Sequence, residues 1–194
     1  MRWSWLRLLV LTALSATALS FVTASVLAAP SKPVLVPDAT GDVPGKLDLQ
    51  RLKLGIANGR LRAAVTFAGT VTAADMFVRS GPPGSVCLRV WTATNADPES
   101  TRPDRLVCVT ARTTKALRAS VLRQEGPGLP ERVRPASVTA SKSDRSIIIS
   151  IAPSALGSPA SIRYALESTR PGCDRTSCID TIPAAPATRR FRLR

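Results

Sequence analysis

The chain has 194 residues and a formal net charge of +14, with 27 Lys and Arg residues, 13 Asp and Glu residues and no histidine. The absence of histidine excludes a Ser-His or Cys-His catalytic pair, a His-based zinc site and the usual general base near neutral pH. The excess of basic residues predicts attraction to polyanions such as acidic wall polymers, anionic lipids or nucleic acid. The alternative is a solvated basic surface without a specific partner.

Residues 1–28 are predicted to be a secretory signal peptide. Arg2 and Arg7 form its basic start, the following stretch is apolar and uncharged, and Val26-Leu27-Ala28 places small residues before a cleavage site. A retained membrane anchor is the alternative, since about 20 apolar residues can span a bilayer. Interspersed Thr and Ser residues and the lack of a basic stop-transfer cluster favour cleavage. The protein is therefore expected to be secreted or associated with the cell envelope.

Cleavage would leave residues 29–33 as a flexible lead-in and residues 34–194 as a single domain. This length is sufficient for a buried core. The domain loses only Arg2 and Arg7 from the basic set and keeps every acidic residue, so it remains strongly basic. We expect a monomer with no membrane span after cleavage.

Four cysteines in an exported chain predict disulfides. Cys87 and Cys108 lie in two apolar, alternating segments separated by a polar run around Asp97-Pro98, and a hairpin over this run places them opposite each other. Cys173 and Cys178 are close enough in sequence to close a small loop. The predicted pairs are therefore Cys87–Cys108 and Cys173–Cys178. The spacing lacks the C-x-x-C motif or His partner that a zinc or redox site would need.

A β-hairpin is predicted around Asn58-Gly59, the dipeptide that best supplies the two positive φ angles of a type I′ turn. Pairing across this turn places apolar residues opposite each other on one face: Ile56 with Leu61, Leu54 with Ala63, and Leu52 with Val65. Upstream, the apolar alternation changes phase between Leu49 and Leu52. A bulge near Gln50-Arg51 would bring both leucines to the core.

Further short strands are predicted along the rest of the chain, around 76–79, 86–92, 105–110, 116–123, 132–139, 146–151, 161–167 and 189–193. The isoleucine-rich run Ile147-Ile148-Ile149-Ser150-Ile151 is expected to be the most buried of them. Residues Pro153 to Gly157 form the only helix-like turn. Many short strands separated by Gly and Pro turns predict an all-β fold, an antiparallel, jelly-roll-like sandwich.

An acidic segment precedes the hairpin, with Asp38, Asp42 and Asp48 in a turn-rich stretch that also contains Gly41 and Gly45. Calcium prefers several oxygen ligands, which carboxylates and backbone carbonyls on such a loop can supply. These three aspartates are the predicted calcium ligands, and no other cofactor is expected. The alternative is that they are ordinary turn residues that bond the local backbone or pair with arginines.

Several motifs carry a resemblance to a known family: Asp38-x-x-Gly41-Asp42, Leu47-Asp48-Leu49, Asn58-Gly59-Arg60-Leu61 and the late Ala152 to Gly157 segment. In these motifs and in its layout of strands, the chain resembles bacterial secreted sandwiches of the DOMON and carbohydrate-binding family nine type, as well as exported proteins of actinobacteria. The resemblance implies a jelly-roll-like sandwich, calcium near the first strand in some relatives, and sugar binding. Heme-binding relatives use an axial His or Met, and this chain offers only Met76 after the signal peptide.

Sugar clefts present exposed aromatic rings, and this chain has few of them. Trp3 and Trp5 leave with the signal peptide. Trp91 lies beside the predicted Cys87–Cys108 hairpin and is expected to belong to the core. The sequence therefore disfavours glycan stacking.

The C-terminal tail is the second candidate binding segment. Alternation would place Arg190, Arg192 and Arg194 on one side of a final strand, with Phe191 and Leu193 buried. A row of guanidinium groups can bind phosphates bidentately. The alternative is an edge strand protected from aggregation by charge. Nucleic-acid binding is not expected, because exposed stacking aromatics are lacking.

No residue pattern points to catalysis. Without histidine an enzyme would need a carboxylate pair, such as Glu167 with Asp180, or a Ser-Lys arrangement. We expect a non-catalytic exported sandwich that binds an anionic envelope polymer or another surface component. The alternative is a structural or protein-interaction domain with no small ligand.

Overall fold

The computed structural model describes residues 31–92, 102–124, 129–133, 138–173 and 178–194. The predicted signal peptide and the first part of the predicted lead-in lie outside these ranges. In the described ranges, we find no helix with the length and apolar character needed to cross a membrane.

The described chain forms strands and turns, with a 3₁₀ turn at Pro153–Leu156. The strands are, in chain order, β1 (Val34–Pro37), β2 (Leu49–Ala57), β3 (Arg60–Phe67), β4 (Ser85–Trp91), β5 (Arg105–Ala111), β6 (Leu117–Arg123), β7 (Glu131–Arg132), β8 (Val138–Ser143), β9 (Ser146–Ile151), β10 (Ser161–Thr169), β11 (Ile179–Ile182) and β12 (Arg189–Arg192).

These strands build two antiparallel sheets, which confirms the predicted all-β sandwich. The first sheet has the order β1-β2-β3-β9-β8, and the second has the order β11-β10-β4-β5-β6-β7. Strand β12 pairs with the N-terminal half of β10, and β11 pairs with its C-terminal half. The sheets approach each other between β6 and β8 and between β2 and β11.

The hairpin of β2 and β3 has the predicted register and turn. Asn58 and Gly59 both have positive φ, 51° and 67°. The three predicted apolar pairs are present, and the register shifts between Leu49 and Arg51, where the bulge was expected. Both Leu49 and Leu52 are fully buried as a result. The Asn-Gly turn and the bulge together direct the apolar side chains of the hairpin into the core.

The core lies between the sheets and consists of every second residue of the central strands. In β9, the residues Ile147, Ile149 and Ile151 are buried, whereas Ile148 is only partly buried and faces outward. The prediction that this is the most buried strand was therefore wrong, since β4 has a higher share of buried residues. Because β9 lies in a sheet with one face on the core, its side chains must alternate between core and surface.

Two other local predictions differ from the structure. Residues Met76 to Arg79 form no strand, because Thr72 donates from its N–H (2.7 Å) and Oγ1 (2.6 Å) to Asp75 Oδ2 and starts a turn. The segment predicted over 132–139 contains the end of β7 and the start of β8, and residues 134–137 lie outside the described chain. Strands β1 and β11 are additional elements.

Both predicted disulfides are confirmed. Cys87 and Cys108 are direct partners on β4 and β5, and Cys173 is bonded to Cys178 between β10 and β11. The predicted turn at Asp97-Pro98 lies outside the described residues. Two disulfides indicate an oxidising environment such as the outside of the cell.

Candidate functional site

The loop that joins β1 to β2 in the first sheet packs against the second sheet, and two hydrogen bonds at its C-terminal end hold it there. Ser168 Oγ donates to the carbonyl oxygen of Leu47 at 2.5 Å, and the N–H of Leu49 donates to Asp180 Oδ2 at 2.6 Å. Ser168 on β10 and Asp180 on β11 are direct partners, and both are buried. The acidic loop is therefore held against a fixed pair of strands in the opposite sheet.

This docking brings three carboxylates together. Asp38, at the end of β1, Asp42, in the exposed loop, and Asp180, on β11, each place one carboxylate oxygen within 4.8 Å of the others. Asp180 is 3% exposed. Two of these carboxylates lie near the N-terminal end of the described chain, and the third, Asp180, lies near its C-terminal end.

Asp48, the third predicted calcium ligand, is not one of these three residues. It is 6% exposed, and its Oδ2 accepts a hydrogen bond of 2.8 Å from the N–H of Gly41. Its Oδ1 is buried without a hydrogen-bond partner, as is Oδ2 of Asp38. The charge of Asp48 contributes to raising the pKa of Asp38. Asp48 thus fixes the fold of the loop and places a fourth carboxyl group beside the group of three.

The carboxyl groups of this cluster are hard to ionise together. Burial raises the pKa of Asp180 to about 7; the hydrogen bond from Leu49 opposes the shift, and the charges of Asp38 and Asp42 add to it. Burial, followed by the charge of Asp42, also raises the pKa of Asp38, against its hydrogen bond with Asp180. A proton shared by Asp38 and Asp180 relieves the repulsion, and a bound cation would do the same.

Without added metal, we expect the protein to be more stable at pH 5 than at pH 8. Between the ordinary pKa of 3.8 and about 7, folded Asp180 keeps a proton that the unfolded chain has released, so the free energy of unfolding falls as the pH rises. The expected loss is on the order of 2 kcal/mol, or about 4–8 °C in melting temperature. Thermal melts in EDTA measure it. Asp180→Asn should flatten the profile, and a wild-type melting temperature that rises from pH 5 to pH 8 would contradict this assignment.

The tail forms β12 and presents two of its three predicted arginines on one face. Arg190 and Arg192 are exposed, and Phe191 between them is buried in the core. Arg194 lies beyond the strand, where its Nη2 donates to the carbonyl oxygen of Ser158 at 2.6 Å. Arg194 therefore binds the turn after the 3₁₀ segment and does not extend the row.

The tail arginines meet further cations on the outer face of the second sheet. Arg190 lies directly opposite Arg163 on β10. The guanidinium groups of Arg163 and Arg89 each lie 5.4 Å from the ring centre of Trp91. At this distance the face of the ring attracts each cation. Arg89 also forms an ion pair of 3.5 Å with Glu167. We call Arg163, Arg190 and Arg192 the second-sheet basic face.

Trp91 is buried, at 5% exposed, but outside the core in which it was expected. Along β4 the residues Val86, Leu88 and Val90 face the core, so Trp91 faces the outside of the sheet. Its ring is covered by the two arginines. It therefore supports the basic face and does not fill the space between the sheets.

No protein-family model matches the chain, and no curated protein matches its sequence. The resemblance to DOMON and family nine domains accordingly remains a prediction from motifs. The carboxylate pair considered for catalysis is separated by the sheet, because Glu167 pairs with Thr181 and its neighbour Ser168 pairs with Asp180. Glu167 faces outward toward Arg89, and Asp180 faces inward toward the acidic loop.

Proposed function

We propose that the exported domain is a non-catalytic binding module that holds an anionic polymer of the cell envelope on its second-sheet basic face. The observation that supports this proposal is the direct pairing of Arg163 with Arg190, beside exposed Arg192. Like charges directly opposite each other destabilise a sheet. A ligand that brings phosphate or carboxylate groups to these guanidinium groups removes that cost and forms strong bidentate hydrogen bonds.

The spacing of the arginines suits a repeating ligand. Positions two residues apart on a strand are about 7 Å apart, so Arg190 and Arg192 present charge at a regular interval along β12. Arg163 lies on the adjacent strand and broadens this row. An extended polymer with regularly spaced anionic groups can bind along such a row of arginines. Because the strand is exposed, this binding does not require a cleft.

Reversing the charge of two arginines on this face should weaken polymer binding at least tenfold. The test compares Arg190→Glu/Arg192→Glu with Arg112→Glu/Lys115→Glu, which makes the same charge change in the exposed turn between β5 and β6. Fluorescence anisotropy with a labelled anionic wall polymer measures affinity, and wild-type affinity should fall steeply with salt.

The control double variant should stay within about threefold of wild type, because a contact with specific guanidinium groups depends more on position than on total charge. Equal losses of affinity in both double variants would mean that binding depends on net charge and not on this face. Binding that is absent or insensitive to salt would contradict the proposal and favour the alternative of a protein-interaction domain.

We also propose that Asp38, Asp42 and Asp180 bind a calcium ion. The residues fit this ion: carboxylate oxygens are the ligands calcium prefers, and the adjacent buried Oδ1 of Asp48 lacks a hydrogen-bond partner. Bound calcium would neutralise a cluster whose burial otherwise raises the pKa of Asp180. Because its ligands come from the β1–β2 loop and from β11, the ion would fasten this loop to the second sheet.

A further inference from the structure

A second basic surface lies on the outside of the first sheet. Arg51 and Lys53 on β2 and Arg62 on β3 are exposed, and the residues that alternate with them, such as Leu52, are buried in the core. Lys53 pairs with Ala64, two residues along β3 from Arg62, so the two cations are diagonal neighbours roughly 7–8 Å apart. We call Arg51, Lys53 and Arg62 the first-sheet basic face.

This face has no nearby acid among the described strand residues. Arg51 pairs with Thr66, Lys53 with Ala64 and Arg62 with both Gly55 and Ser150. The described ion pairs lie elsewhere in the protein: Lys46–Asp75 at 3.1 Å, Arg89–Glu167 at 3.5 Å and Arg123–Glu131 at 3.7 Å. None of the described strands of the first sheet contains an acidic residue, so no carboxylate within these strands neutralises the positive potential of this face.

The chemistry of the first-sheet basic face suits phosphate. Arg51 lies opposite Thr66. Arg62 lies opposite Ser150, whose hydroxyl oxygen accepts from Arg60 Nε at 2.8 Å and can still donate its own O–H. A phosphate group offers several strong acceptor oxygens, so it can accept from a guanidinium group and from a neighbouring hydroxyl at once. The hydroxyl-bearing outer positions of β3 and β9 therefore complement a phosphate-bearing chain laid across the sheet.

The two basic faces point in opposite directions. Each sheet turns one side to the shared core, and packed sheets are about 10 Å apart, so the outer side chains of the two sheets diverge. A polymer segment bound along β10 and β12 cannot also lie across β2 and β3. We propose that the domain is bivalent: it bridges two strands of phosphate polymer, one on each face. This inference rests on the proposed function for the second face and adds a cross-linking activity.

A bead experiment with the mature exported protein tests this inference. Beads carry linear inorganic polyphosphate, and fluorescent polyphosphate of the same length is in solution. Wild-type protein should bind the beads and capture the fluorescent polymer. Capture should rise and then fall with protein concentration. At high concentration, different protein molecules saturate the bead-bound and the free polymer, so few molecules bridge the two. Beads with polyglutamate of equal charge should capture less, and the reverse preference would overturn the assignment of phosphate.

Variants of each face separate bridging from binding. Lys53→Glu/Arg62→Glu and Arg190→Glu/Arg192→Glu should each still bind the beads through the remaining face, the second variant at least tenfold more weakly. At protein concentrations that load the beads equally, each should capture less than a tenth of the wild-type fluorescence. Arg112→Glu/Lys115→Glu, with the same charge change, should bridge like wild type. Wild-type protein that binds beads without capturing free polymer would overturn bridging alone, as would normal capture by either face variant. Wild-type protein that binds neither the polyphosphate beads nor the polyglutamate beads would overturn the proposed function as well.

Discussion

Millimolar calcium is expected to raise the melting temperature of the wild-type protein by about 5–10 °C and to leave Asp180→Asn unchanged. A ligand present at about 100 times its dissociation constant stabilises the folded state by about 2.7 kcal/mol, and each kcal/mol corresponds to about 2–4 °C for a chain of this size. Asp180 is one of the three converging carboxylates, and its Oδ2 already accepts from Leu49. Asparagine keeps the shape of the side chain and one of its oxygens, so the variant should fold while losing the charge that would hold the ion.

The matched control is Asp75→Asn. Asp75 is a partly buried carboxylate outside the cluster. Although burial alone would raise its pKa, hydrogen bonds from Thr72 and the ion pair with Lys46 hold that pKa below its ordinary value. Losing those bonds should destabilise the turn without reducing the calcium response. In EDTA at pH 8, Asp180→Asn should melt above wild type, because it removes a buried charge. A wild-type melting temperature that calcium does not change would disprove the site.

The parts of the fold that could be predicted from sequence are those fixed by short-range chemistry. Asn58-Gly59 supplies the positive φ angles of its turn, so the register of β2 and β3 follows from two residues and an apolar alternation. The Cys87–Cys108 pair follows in the same way from two alternating segments. Residues 76–79 have an equally apolar pattern, but the Thr72–Asp75 turn sets their conformation, so pattern alone predicts the wrong structure there.

The candidate calcium site was only partly predictable, because its ligands come from distant parts of the chain. Asp38 and Asp42 share a turn-rich segment, which the sequence shows directly. Asp180 lies in the short segment Ile179–Ile182, where two isoleucines flank Asp and Thr, so that alternation fits either face. Its inward orientation depends on pairing with β10, which places it opposite Ser168, and on the loop that docks there through Leu47 and Leu49. Neither pairing nor docking has a local sequence signal.

The same reasoning applies to the second-sheet basic face. The tail sequence shows that Arg190 and Arg192 alternate with Phe191, and the structure has this arrangement. The sequence does not show that β12 pairs with β10, which brings Arg163 opposite Arg190. It also does not show that Trp91 leaves the core to lie beneath two arginines. The tail sequence alone therefore fits both a charged edge strand and part of a broader basic face. Only the pairing of β12 with β10 distinguishes the two arrangements.

The two disulfides are expected to differ both in stability and in their link to calcium. Replacing Cys87 and Cys108 by Ala opens a loop of 21 residues and should cost about 3 kcal/mol, whereas replacing Cys173 and Cys178 opens a loop of 5 and should cost about 2 kcal/mol. Urea unfolding of the two double variants in EDTA measures both costs.

Calcium should distinguish the two variants more sharply than stability does. Cys178 lies two residues before Asp180 and closes the connection between β10 and β11, so losing its disulfide lets β11 move away from the acidic loop. Cys87–Cys108 joins β4 to β5, strands that do not contribute to the carboxylate cluster. We therefore expect Cys173→Ala/Cys178→Ala to weaken calcium binding at least threefold in titration calorimetry, and Cys87→Ala/Cys108→Ala to leave it unchanged. An equal loss of affinity in both variants would mean that calcium affinity follows overall stability. A loss of affinity in Cys173→Ala/Cys178→Ala alone would mean that this disulfide holds Asp180 against Asp38.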